Sequence, residues 1–180
     1  YNTNETNLMH KSIFYLAIAC GLRNSEIRAL TVKDIDFKQG IINIDKQVGE
    51  KRDGKGGIIF SIIPPKTPTS IRKIYAPKFV LSTLSEYISS LPYIPVNGQI
   101  YFSPITQRPI SKHCISKRFT TILKELGINH IRFHDLRHLQ ATLLINTGGN
   151  VKAVSKRLGH SKTDITLNTY THVIDSIDKK

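Results

Sequence analysis

Pro64, Pro65 and Pro68 interrupt the most β-prone tract of this chain, GIIFSIIPPKTPTSIRKIYAP (57–77). Proline cannot donate to a strand ladder, so the isoleucine-rich runs on either side cannot form one continuous strand. The tract therefore reads as a hairpin whose ordered, exposed tip, PPKTPTS, carries Lys66. The chain turns between Asp34 and Gly40, and IINID (41–45) then alternates like a strand. VGEKRDGKGG (48–57) is polar and glycine-rich and reads as a flexible loop. QIYFS (99–103) reads as a short strand after the LPYIPVNG loop.

The remainder has helical spacing. Residues 8–19, LMHKSIFYLAIA, form a largely buried helix that GLRN (21–24) ends. Ser25 offers an N-cap to a short second helix, EIRAL. From Lys78 to Leu91, Val80, Leu81, Leu84 and Ile88 share one side. Ser111 caps ISKHCISKRFTTILKELG, which Gly127 stops. FHDLRHLQATLLINTGG is the next helix, Asn150 caps VKAVSKRL, and Gly159 closes it. SKTDITLNTYTHV makes a last short helix, with Ser161 or Thr163 near its start. The fold class is α+β, mainly helical, with a small antiparallel sheet toward the N-terminal side.

Charge narrows the partner. Lys and Arg number 26 against 13 Asp and Glu, a net +13 in 180 residues. Between Pro104 and Lys162 eleven basic residues face only Glu125 and Asp135. Such a surface favours a polyanion, because neutralising phosphates releases counterions. No apolar run is long enough for a membrane span, and no basic amphipathic helix with a bulky apolar face favours a membrane surface. Cys20 and Cys114 are too few for a disulfide framework, which points to a reducing, cytoplasmic setting. YNTNETN has neither a signal-peptide pattern nor a starting Met, so the expectation is a fragment of a longer protein.

HDLRH (134–138) is the densest chemical motif. His134 and His138, four apart on a helix, could share zinc; His134 and Arg137, three apart, could clamp a phosphate. Zinc is disfavoured, because aspartate stands where a metalloprotease helix has its glutamate base and Arg137 would set a fixed cation beside the metal. Taken singly, Arg23, Glu26, Lys66, His160 and Tyr170 have ordinary structural readings, such as a solvated lysine or a carboxylate near a helix N-terminus.

Taken in order, GLRNSEIRALTVKDID, PPKT, HDLRH, LGHS and LNTYTHV resemble the catalytic domain of tyrosine recombinases, the site-specific recombinases and integrases of phages and mobile elements. The resemblance runs from about Cys20 to Val173, and its wording is most like conjugative-transposon or phage integrases. It implies a six-residue catalytic site of Arg23, Lys66, His134, Arg137, His160 and the nucleophile Tyr170, supported by Glu26 and His138. Leu139-Gln140 departs from the small or hydroxylic residue that the family often carries there, at the cost of a minor hydrogen bond. VGEKRDGKGG is longer than in compact relatives and reads as an insertion contacting DNA.

The activity so implied is cleavage and rejoining of DNA through a 3′-phosphotyrosyl intermediate, integrating or excising a mobile element with no metal, ATP or other cofactor. Double-stranded DNA is the expected partner, engaged by a homo-tetramer on two duplexes, with accessory excision or DNA-bending factors and no membrane. Localisation follows as cytoplasmic, at the nucleoid when DNA is bound. Residues 1–180 would be the catalytic domain alone, with core-binding and arm-binding domains ahead of it. Two alternatives share the scaffold: a type IB topoisomerase-like relaxing enzyme and a non-catalytic DNA-binding regulator. All six catalytic positions carry the expected residue, which disfavours the regulator.

Overall fold

The computed structural model describes residues 3–159; His160, Tyr170 and the expected last helix lie outside the described residues. Helix α1 (Thr3–Cys20) is the central strut. Its Met9, Ile13, Leu16, Ala17 and Cys20 are buried, at the spacing of one helical face. Against it pack α3 (Lys78–Ser90), through Val80, Leu84 and Tyr87, and α4 (Lys112–Glu125), through Ile115, Phe119 and Leu123. The short helix α2 (Asn24–Ala29) follows α1 after a short break. Helices α5 (Asp135–Asn146) and α6 (Val151–Leu158) form a satellite apolar cluster from Ala141, Ile145, Val154 and Leu158. Among the described residues no helix is long and apolar enough to cross a membrane.

Local signals set most helix ends. Ser111 accepts a hydrogen bond from the His113 amide at 3.2 Å, and Asn150 accepts from Lys152 and Ala153, so both act as N-caps. Gly159 ends α6 in the left-handed region at φ 67°. A Cβ there would sit 3.0 Å from Ser70 Cα and Thr69 O, so only glycine permits this close approach of α6 to the 69–70 backbone. Ser25 is not the cap of α2. Arg23 is, and Glu26 at the third helical position accepts from the Arg23 amide at 2.8 Å. The Ser25 hydroxyl turns to Gln47 instead, at 3.3 Å.

Two antiparallel sheets replace the expected hairpin. One has the order β1 (Ile35–Asp36), β2 (Ile41–Ile44), β5 (Arg72–Tyr75), and the other pairs β3 (Gln47–Arg52) with β4 (Ile58–Ile63). The runs flanking PPKTPTS therefore do not pair with one another. Ile58–Ile63 folds back on 47–52, in the register Gln47↔Ile63 to Arg52↔Ile58, while Arg72–Tyr75 pairs with β2. The proline tract crosses between sheets through a 3₁₀ turn at Pro68–Ser70, and Lys66 sits on this crossing rather than on a hairpin tip.

Nor is VGEKRDGKGG a flexible loop. Its first half is β3, and Asp53 makes the turn by accepting from the Lys55 and Gly57 amides at 2.8 Å each. Gly49 lies under Ile63, whose Cδ1 would be 2.9 Å from an added Cβ, so this glycine serves close packing within a strand. QIYFS forms no strand, only the isolated bridges Thr31↔Gln99 and Phe102↔Pro109. It is core instead: Tyr101 stacks on Tyr87 at 5.3 Å and its hydroxyl meets Ser12 at 2.7 Å.

Candidate active site

An open groove of about 800 Å³ runs between the β3–β4 hairpin and the N-terminal half of α4. Arg23, Lys66 and His134 lie on its wall, with Glu50, Lys112 and Arg132. Three of the sequence-predicted residues, from three separate blocks, thus share one basic cleft. Lys66 reaches it from the inter-sheet crossing, where its side chain is exposed.

Arg137 is not on that wall. It projects from the first turn of α5 and is 2% exposed. One Nη donates to the Gly21 carbonyl at 2.5 Å and the other to the Leu158 carbonyl. Burial lowers its pKa to about 9, reinforced by the charges of Arg23 and Arg72 and opposed by Glu26. It is still a cation at neutral pH. Arg23 donates to the next carbonyl along, that of Gly159, at 3.3 Å. The two guanidiniums therefore converge on the last backbone groups before His160.

Glu26 holds the other side of Arg23. Its Oε1 accepts from Arg23 at 2.7 Å, and both its oxygens accept from the Arg72 fork at 2.9 Å. Burial alone would raise the Glu26 pKa. The hydrogen bonds and charge of Arg72, with those of Arg23, outweigh it and hold the carboxyl below its ordinary value.

His134 occupies the N-cap position of α5, and its ring meets His138 edge-to-face at 5.1 Å. Partial desolvation depresses its pKa first, then its interaction with the His138 ring and the charges of Arg137 and Arg23, with Asp135 opposing. The imidazole is consequently neutral at pH 7, able to accept a hydrogen bond or a proton. Asp135 is taken up by Arg132, accepting from its amide at 2.9 Å and its guanidinium at 3.0 Å. Among the described residues no group of three or more His, Cys, Asp and Glu side chains is placed to hold a metal ion.

Two buried arginines escaped the sequence reading. Arg72 shares the inward face of β5 with Ile74, and the period-two alternation of RKIY was the available signal. Arg28 donates to the Ile110 carbonyl at 2.5 Å and to Glu50 at 2.7 Å, and Glu50 also pairs with Lys112 at 2.8 Å. This triad joins α2, β3 and α4 across the groove floor, and no local pattern in the sequence announces it.

Comparison with known proteins places the chain in a family. Residues 1–176 match the description of the Phage integrase family. The chain belongs to the phage integrase family of tyrosine recombinases. Similar family members include a "Tyrosine recombinase XerC-like" protein of Caldanaerobacter subterraneus subsp. tengcongensis, 32% identical over 91% of this chain and 46% of that protein. The ICEBs1 integrase of Bacillus subtilis is 28% identical over 98% of this chain and 48% of its own length. Among solved structures, the Tn1549 transposon integrase in complex with a circular intermediate DNA superposes with a TM-score of 0.74, at 27% identity, over 90% of this chain and 54% of that one. The XerA recombinase, at 22% identity and a TM-score of 0.67, shares the fold. This phage integrase domain spans just under half the length of those first two relatives.

Proposed function

We propose that this chain is the catalytic domain of a site-specific DNA recombinase that breaks and rejoins strands through a 3′-phosphotyrosyl ester at Tyr170. The observation that carries the reading is the convergence of Arg23 and Arg137 on the adjacent carbonyls of Gly159 and Leu158, directly before His160. Metal-free cleavage of a phosphodiester needs an in-line nucleophile, neutralised non-bridging oxygens and a proton for the leaving alkoxide. A guanidinium has five N–H groups, so its bonds to Glu26 and Gly159 leave Arg23, on the groove wall, with donors for phosphate oxygens, and the buried Arg137 adds its positive charge close by. The Tyr170 hydroxyl attacks phosphorus, and the 5′ oxygen leaves with a proton from Lys66. His134 and His160 hydrogen-bond the phosphate or carry the tyrosine proton. Attack by another strand's 5′-hydroxyl on the tyrosyl ester reseals the DNA, so the bond energy is conserved and neither ATP nor a metal ion is consumed.

Double-stranded DNA is the substrate in this reading. The basic groove supports it, as do relatives that include the ICEBs1 integrase and the transposase from transposon Tn916 of Enterococcus faecalis. Four copies act on two duplexes, with core-binding and arm-binding domains and accessory bending factors completing the complex that integrates or excises a mobile element at the nucleoid. A random duplex library incubated with the protein in EDTA tests the reading. Covalently captured fragments should share one crossover sequence, each joined through a 3′ phosphate. Supercoil relaxation without captured strand exchange would instead indicate a topoisomerase.

A further inference from the structure

Arg72 is 9% exposed, lies on a strand, and is absent from the groove wall. Its side chain nevertheless meets three segments that bear on the site. Nη1 and Nη2 fork Glu26 of α2, Nη1 also donates to Ser70 O at the end of the Lys66 crossing, and Nε donates to Arg157 O in the last turn of α6. Each of these contacts is 2.8–2.9 Å long. We propose that Arg72 is a positioning residue: through Glu26 it fixes the Arg23 guanidinium at the groove, and it ties the segments leading to Lys66 and His160 to the same point. This rests on the reading of Arg23 as a phosphate-binding group.

Charge counting separates this role from simple stabilisation. Around the Glu26 carboxylate stand Arg23 before α2, Arg72 on β5 and Arg137 on α5. The Arg157 guanidinium of α6 is turned away to the carbonyls of Ala19 and Tyr75, and Cys20 of α1 is a buried thiol pushed up to about 12. Three arginines share one anion, so the cluster is left cationic. Merely neutralising Glu26 would need Arg23 alone, and each further buried cation adds desolvation cost. A fixed excess of positive charge is useful where an anion is to be bound. Arg72 also leaves each Glu26 oxygen a defined partner, which directs Oε1 at Arg23.

Removing Arg72 would leave Glu26 hydrogen-bonded to Arg23 alone, with the Arg137 charge acting on it only from a distance. The carboxyl would then protonate at a higher pH, and on protonating would release Arg23. The test is single-turnover formation of the covalent DNA–protein adduct on a nicked duplex carrying the library-mapped crossover site, as a function of pH. Arg72→Met should slow the adduct about 10- to 100-fold near neutral pH, the size of loss seen when the partners that orient metal ligands are removed, with DNA affinity nearly unchanged. Its acid limb should lie at higher pH than that of the wild type and vanish in Arg72→Met/Glu26→Gln. Arg72→Lys keeps the charge but loses the fork, and should recover part of the rate. Should Arg72→Met not fold, Arg72→Lys is read alone, and a wild-type rate and pH profile in it would overturn the proposal. So would a folded Arg72→Met whose acid limb coincides with the wild type. Arg23→Ala separates the two levels: if adduct formation survives it, the reading of Arg23 fails. If Arg23→Ala abolishes the adduct while both Arg72 variants keep the wild-type rate, only the positioning role fails.

Discussion

Arg23, the N-cap of α2, and Arg137 of α5 donate to the neighbouring carbonyls of Gly159 and Leu158. These acceptors are the carbonyls of the last residue and the C-cap of α6, a helix end where cations are favoured. The helix end thus serves as a rack that holds two guanidiniums side by side against their mutual repulsion.

Lysine cannot reproduce the Arg137 fork, because a single ammonium does not span the Gly21 and Leu158 carbonyls. Arg137→Lys should lower the rate of adduct formation about 10²- to 10³-fold, the usual loss for one preorganised donor at a developing oxyanion. Its melting temperature should also fall, since two buried carbonyls lose a partner. Single-turnover kinetics and thermal unfolding check both. A variant with wild-type kinetics would remove Arg137 from the site.

Helices α1 to α6 were legible because their signals are local, while the expected last helix lies outside the described residues. Ser111, Asn150 and Gly159 each stand beside the backbone groups they satisfy. Strand pairing was not legible, because it depends on residues far apart. The run Gln47–Arg52 has four charged or polar side chains and a glycine, and only its partner Ile58–Ile63 makes it a strand. The same limit applied to the site. Arg23 and His134 announce themselves within motifs, whereas Arg72 acquires its meaning only when β5 is laid beside α2 and α6.

His134 should titrate below the ordinary histidine value of 6.5, since desolvation, the His138 ring beside it and the charges of Arg137 and Arg23 disfavour its charged form. A group with a depressed histidine pKa takes up fewer protons folded than unfolded. It therefore lowers stability as pH falls below 6.5 and costs nothing well above it. NMR titration of the His134 ring protons measures this directly. A midpoint above 6.5 would contradict the crowding of positive charge described around it.

Glu26 has the opposite sign. Its folded pKa is below the ordinary 4.5, so its contribution to stability is present above that value and is lost as pH falls through the folded value. Denaturant unfolding across the acid range should show a stability loss that Glu26→Gln flattens. An equally steep loss in the variant would assign the acid sensitivity to other carboxylates.

Gly159→Ala should destabilise the fold by about 1–2 kcal/mol from left-handed backbone strain alone. The added Cβ meeting Ser70 Cα and Thr69 O at 3.0 Å should raise the loss further. Equilibrium denaturation reads this out, and a variant as stable as the wild type would contradict the close seating of α6 on the 69–70 backbone.

The most direct measurement of the central claim is covalent capture on a nicked suicide duplex in EDTA, comparing the wild type with Tyr170→Phe. A DNA–protein adduct is expected for the wild type, carried on a peptide containing Tyr170, and none for the variant. An undiminished adduct in Tyr170→Phe would contradict the claim.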